Sequence, residues 1–132
     1  VKADIEIFID KSYINEEGLR IDLYKRIQQI QSEEELYSLQ EEIEDRFGKM
    51  PKELSNLFLL ALIKLKATKI GIKEMHISKN SIKIKPNTEE YLEKLKSKNF
   101  FVKPKKEEIV VLPSVPTDPF GLAISIITLL SS

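Results

Sequence analysis

The chain has 132 residues, 42% of them hydrophobic and 32% charged, with 21 Lys and Arg balanced by 21 Asp and Glu. That is enough apolar material for one domain with a real core, and it excludes a disordered tract. The absence of cysteine excludes disulfides and thiolate metal sites, and no apolar run approaches the roughly 18 residues that cross a bilayer. The sequence starts at Val1-Lys2-Ala3 with no initiator Met and no secretory signal, so it reads as a cut from a longer cytoplasmic polypeptide.

The neutral total hides a division. Residues 1–60 carry 8 Lys and Arg against 14 Asp and Glu, a net of −6, and residues 61–132 carry 13 against 7, a net of +6. Such a balance argues against nonspecific nucleic-acid binding by the whole surface and leaves room for an acidic docking face at one end.

In chain order, Asp4 to Asp10 alternates Ile5, Ile7 and Ile9 with acidic residues, the period of a strand. Glu16 to Ile30 places Leu19, Leu23, Ile27 and Ile30 on one helical stripe. Ser32 followed by Glu35 is a capping box, in which the hydroxyl accepts from an early amide and the carboxylate reaches back to the cap. The helix it opens turns Leu36, Leu39, Ile43 and Phe47 inward. Gly48 can adopt the left-handed conformation that stops this helix, and Pro51 presets the first turn of the next. That third helix, about 52–70, is apolar on most of its circumference and predicts a spine lying between other elements. Phe47 and Leu62 are predicted to be buried where the second and third helices meet, and Gly71 ends the third.

Beyond Lys73 the period changes to two. Met75 and Ile77, then Ile82 and Ile84, alternate with polar residues around Lys79-Asn80-Ser81, where Asn80 would supply a positive φ. Thr88 caps a short helix to Lys98 with Tyr91, Leu92 and Leu95 inward. Phe100–Lys103 and Glu107–Leu112 read as a second strand pair. Residues 113–116 resemble a linker, and Asp118-Pro119 opens a last helix to about Leu130, too apolar to stand free and predicted to pack on the sheet or on a partner. The predicted class is α+β: three helices in the first half, a small, mainly antiparallel sheet and two further helices.

No stretch around the four glycines matches a phosphate loop or a dinucleotide fingerprint, and His76 is the only histidine, so no catalytic, cofactor-binding or metal-binding residue is assigned. The lysines of the second half, with Tyr91, Phe100 and Phe101 among them, raise an alternative: an accessory DNA-binding module. Against it, the rings fall on the inward period and no Arg is present to make bidentate contacts. On the second helix, Glu42 and Asp45 are surface neighbours with Arg46 beside them, a pair of carboxylates suited to an arginine from another domain.

The stretch Asp45-Arg46-Phe47-Gly48, with Pro51 after it, resembles the "DRFG…P" corner of the C-terminal domain of the bacterial transcription-repair coupling factors, the Mfd family. Leu19-Arg20-Ile21-Asp22-Leu23-Tyr24-Lys25-Arg26-Ile27, Ser32-Glu33-Glu34-Glu35-Leu36 and Ile70-Gly71-Ile72 fit the same family in order and spacing, and the likeness covers roughly residues 1–85. The resemblance implies that residues 1–132 form a single C-terminal regulatory domain without its own enzymatic activity or cofactor. It would dock on the N-terminal UvrB-like module of the same polypeptide, through Glu42, Asp45 and Arg46, and mask the surface that recruits UvrA. It further implies a parent that is an ATP- and Mg-dependent DNA translocase, whose engagement of RNA polymerase and DNA releases the clamp. Phe47, Gly48 and Pro51 would form the structural corner.

Overall fold

The computed structural model describes residues 1–5, 7–113 and 118–131, and these fall into two compact units. A helical unit spans Glu6–Leu65, and a sheet unit combines Val1–Ile5 with Lys66–Ser132. The class is α+β, as the periodicities predict.

In the helical unit, α1 (Glu17–Gln28), α2 (Glu33–Phe47) and most of α3 (Lys52–Lys69) supply the apolar stripes. Leu23 and Ile27 of α1, Leu36, Leu39 and Ile43 of α2, and Leu54 and Phe58 of α3 are buried in one core with Ile9 and Ile14. Leu19 and Ile30 pack at its margin. Ile9 does not sit in a strand, although the alternating burial expected for residues 7–10 is present. Its amide donates to the Tyr24 hydroxyl at 2.8 Å, so no ladder claims it. Tyr13 N and Ile14 N then bond back to the Asp10 carbonyl, and Arg20 Nη1 donates to the carbonyls of Ile14 and Asn15 at 2.8 and 2.9 Å, fixing the approach to α1.

Half of the capping box at α2 forms as predicted. Ser32 Oγ accepts from Glu35 N at 3.2 Å, but the Glu35 carboxylate reaches one residue further back, to Gln31 N at 3.4 Å. At the other end, Gly48 has φ +90° and ψ −169°. That is not the left-handed helical conformation expected from the sequence but an extended one at positive φ, a region that is essentially glycine's alone. The Gly48 carbonyl accepts from the Tyr13 hydroxyl, and the Tyr13 and Phe47 rings meet at 5.8 Å. Pro51 directly precedes α3, its carbonyl accepting from Ser55 N. Phe47 and Leu62 are only half-buried at the edge of the core, because the centre between the helices is filled by Leu54, Ile43 and Phe58.

Along α3 the exposed positions are confined to Lys52, Lys64, Thr68 and Lys69, in keeping with its apolar circumference. Gly71, at φ +83°, closes it: Ile72 N bonds to Ala67 O at 3.0 Å and Gly71 N to Thr68 O at 3.3 Å, the paired bonds of a Schellman motif. Ala67 and Ile72 are both buried, the apolar contact that accompanies this cap.

In the sheet unit, β1 (Lys2–Ala3), β2 (Glu74–Ile77), β3 (Ile82–Lys85), β4 (Phe101–Pro104) and β5 (Ile109–Leu112) form a sheet ordered β1-β2-β3-β5-β4. All pairs are antiparallel except β1 with β2. Among the described residues of the N-terminal segment, Lys2 and Ala3 form the strand, directly ahead of the stretch whose periodicity suggested one. Met75, Ile77, Ile82, Ile84, Ile109 and Val111 form the buried face. The β2–β3 turn closes through Ser78 N and Oγ on Ser81 O, both at 3.0 Å, and not through a positive φ at Asn80. Positive φ occurs instead at Asn99, which ends α4 (Glu89–Ser97) in a second Schellman pattern, Phe100 N to Leu95 O and Asn99 N to Lys96 O. Thr88 Oγ1 accepts from Tyr91 N, capping α4 as predicted. The linker expected at 113–116 lies outside the described residues apart from Pro113. Helix α5 (Pro119–Leu130) follows Asp118 and packs on α4 and β2, burying Phe120, Ala123, Ile126, Ile127 and Leu130.

Leu54→Ala, at the fully buried centre, is expected to destabilise by about 2–5 kcal/mol, and half-buried Phe47→Ala by less, about 1–3 kcal/mol. A Cβ at Gly48 meets no neighbour within 4 Å, so the cost of Gly48→Val, about 1–3 kcal/mol, comes chiefly from backbone strain. Urea unfolding of the three variants checks the order; a Gly48→Val midpoint equal to wild type would contradict the corner geometry.

Candidate functional site

The carboxylates singled out in the sequence lie on the exposed side of α2. Leu39, Ile43 and the inner edge of Phe47 hold the helix to the core, and this leaves Glu42, Asp45 and Arg46 facing water. Glu42 and Asp45 are three residues apart on the helix and so lie side by side. The Arg46 guanidinium carbon sits 5.0 Å from the centre of the Phe47 ring, a cation–π contact at the corner.

The structure adds a residue that sequence reasoning missed. Arg26 of α1 grips Glu42 with both arms of its guanidinium, Nη1 donating to Oε2 at 2.6 Å and Nη2 to Oε1 at 3.0 Å. Its hydrogen bonds hold the Glu42 carboxyl below the ordinary glutamate range, with the nearby charges of Arg26 and Arg46 adding to the effect. The same contact holds the Arg26 pKa up. Both side chains are well exposed, 43% and 54%, so the pair is a surface pair of the kind that contributes about 0–1 kcal/mol. Its sequence signal was available: Arg26 precedes Ile27 and Glu42 precedes Ile43, so each charge flanks an inward stripe on its own helix.

The Asp45 side chain has no ion pair or hydrogen bond among the described residues and remains open to a donor. Beside the fork, Arg26, Ile30, Ser32, Glu35, Leu39 and Glu42 line an open groove of about 660 Å³. At the corner, burial pushes the Tyr13 hydroxyl pKa up, and the Glu44 carboxylate adds to the shift. Thus Glu42, Arg26 and Arg46 share one electrostatic neighbourhood, while Phe47, Gly48 and Pro51 shape the bend that ends it. Among the described residues no three His, Asp or Glu side chains gather in a metal-binding cluster, and no helix is long and apolar enough to cross a membrane.

The fork makes a titration prediction. Because the folded Glu42 pKa is lowered, the pair's small contribution is present above the ordinary glutamate pKa and is lost as pH falls through the lowered value. Carboxyl-carbon NMR should show Glu42 titrating below the ordinary glutamate value, and Arg26→Gln should bring it back up. An unchanged Glu42 titration in Arg26→Gln would remove the fork from the solution structure.

The chain is similar to known proteins in both sequence and fold. The TRCF domain family model matches residues 3–97. The transcription-repair-coupling factor of Rickettsia prowazekii is 35% identical over 75 residues, covering 57% of this chain and 7% of that protein. That of Bacillus subtilis is 31% identical over 84 residues, covering 64% of this chain and 7% of that protein. A crystal structure of the C-terminal domain of transcription-repair coupling factor has the same fold, with a TM-score of 0.79 at 24% identity over 99% of this chain and 91% of that one. The chain thus spans about 7% of the length of these two curated relatives. With most of its length matched by the family model, the chain belongs to the TRCF domain family of transcription-repair coupling factors.

Proposed function

We propose that this chain is a non-catalytic regulatory clamp within a cytoplasmic transcription-repair coupling factor. It docks on an N-terminal UvrB-like module of the same polypeptide and covers the surface that recruits UvrA. The parent is an ATP-dependent DNA translocase that acts on stalled RNA polymerase, and its engagement of polymerase and DNA opens the clamp.

The observation that carries this reading is the exposed pair of Glu42 and Asp45 beside a guanidinium already seated on Glu42. Arg26 demonstrates that the Glu42 carboxylate accepts a bidentate arginine. As an exposed contact worth about 0–1 kcal/mol, it yields to a stronger one. An arginine of the partner module, desolvated on docking and hydrogen-bonded to Asp45 as well, gains more than the surface pair loses. Truncating one side of such a pair costs on the order of 2–5 kcal/mol, enough to open a closed state favoured by a few kcal/mol.

Glu42→Ala combined with Asp45→Ala is expected to leave the isolated chain folded, because both side chains are exposed. In the full-length coupling factor it should expose the UvrA surface. UvrA capture without polymerase or ATP is the readout: negligible for wild type, clear for the double variant, and unchanged for a Glu93→Ala control on α4. Equal capture by wild type and the double variant would exclude the carboxylate pair from the clamp.

The non-catalytic part of the proposal has its own check. Titration calorimetry of the 132-residue chain with Mg-ATP should give no saturable heat, and phosphate release should stay at background. Turnover that persists through repurification would refute it.

A further inference from the structure

The outer face of the sheet carries features that the docking proposal does not use. The register sets Lys2, His76, Lys83, Val110 and Lys103 opposite one another in a row that crosses all five strands. Directly opposed residues share a face, and this row lies on the side away from buried Ile77, Ile82 and Val111; in its middle Val110, flanked by Lys83 and Lys103, is itself buried at 7% exposure. Lys2, Lys83 and Lys103 are exposed, and alternate strands place them about 10 Å apart along a line of roughly 19 Å.

The neighbouring row holds Phe101 opposite Leu112. The aromatic periodicity predicted that Phe101 points inward; it points outward instead. Strand β4 is the sheet's edge, and Phe101 there is 59% exposed, the most open of the large hydrophobic side chains among the described residues. Phe101 and Lys103 alternate on the same side of the same strand.

Lysines outnumber acids on this face: Glu74 Oε2 lies 3.3 Å from Lys85 Nζ, Asp4 Oδ2 lies 2.8 Å from His76 Nε2, though without the alignment of a hydrogen bond, and Glu108, two residues before Val110, lies at the β4–β5 turn beside Lys105. The side chains of Lys2, Lys83 and Lys103 make no ion pair or hydrogen bond among the described residues. The geometry points to a binding face for single-stranded nucleic acid, in which the lysine row neutralises backbone phosphates and Phe101 stacks on an unpaired base. A duplex keeps its bases stacked on one another and leaves the ring without a partner, so the exposed aromatic selects the single strand. All arginines of the chain lie at or before residue 46, so this face has no fork with which to read guanine and binds without sequence preference.

Fluorescence anisotropy of the 132-residue chain with a labelled oligothymidine of about 12 nucleotides tests this. Saturable binding at low salt is expected, with log K falling against log salt at a slope near −2, about 0.7 for each of three neutralised phosphates. Phe101→Ala should weaken binding roughly tenfold with little change in slope. Lys83→Gln with Lys103→Gln should flatten the slope to about −0.7. These exposed side chains should leave the thermal melt of each variant at the wild-type value. A same-length duplex should bind more weakly, and an arbitrary mixed-sequence single strand about as well. No binding at low salt, equal affinity for the duplex, or variants that bind like wild type would each overturn the proposal. UvrA capture by the full-length protein does not depend on this face, so the two proposals fail separately.

Discussion

The bend at Gly48 is the constraint on which the helical unit depends. Helix α2 must stop where its apolar stripe runs out, and α3 must start four residues later with Leu54 already directed into the core. A single residue at positive φ and extended ψ makes that change of direction, and only glycine adopts it without strain. The corner is then locked from outside: the Tyr13 hydroxyl holds the Gly48 carbonyl, the Tyr13 ring leans on Phe47, and Arg46 covers the Phe47 face. Phe47 therefore contributes less as a core residue than as the underside of this lock. The turn of α2 that carries Glu42 and Asp45 directly precedes it, so their presentation depends on where the helix ends.

What was legible in the sequence was mostly local. Ser32, Thr88 and the β2–β3 alternation were readable because a cap or a hairpin is decided within a few residues of itself. The Ile5–Ile7–Ile9 alternation misled because burial every second residue is necessary for a half-buried strand but does not supply a ladder. Tyr24, fifteen residues away, takes the Ile9 amide, and nothing near Ile9 announces it. The Arg26–Glu42 fork spans sixteen residues and two helices, so α2 read alone offered Arg46 as the obvious partner.

Phe101 shows a different limit. The sequence reading predicts it inward and it points outward, because alternation along a strand cannot tell which face is covered. That depends on strand order. β5 lies between β3 and β4, which puts β4 at the edge, and α4 and α5 cover the side of Val102 and Val111. Edge strands commonly carry lysine and proline, which discourage pairing with another chain, and β4 has both in Lys103 and Pro104. A bare aromatic is the exception at such an edge, and its exposure makes the surrounding lysines more than a solubilising fringe.

The weakness of the Arg26–Glu42 pair is what would suit it to the proposed reversible clamp. A buried pair would hold Glu42 so firmly that no second arginine could compete, while an isolated, unpaired Glu42 would lose side-chain entropy on docking. An exposed fork lies between these cases. It keeps the carboxylate turned toward a guanidinium, and surrendering it costs about as much as thermal energy supplies. Under the proposed docking, the outcome would be decided by what the partner's arginine gains on desolvation, together with its contact to Asp45. A nearly balanced exchange of this kind lets a modest conformational push from elsewhere in the polypeptide determine which arginine Glu42 holds.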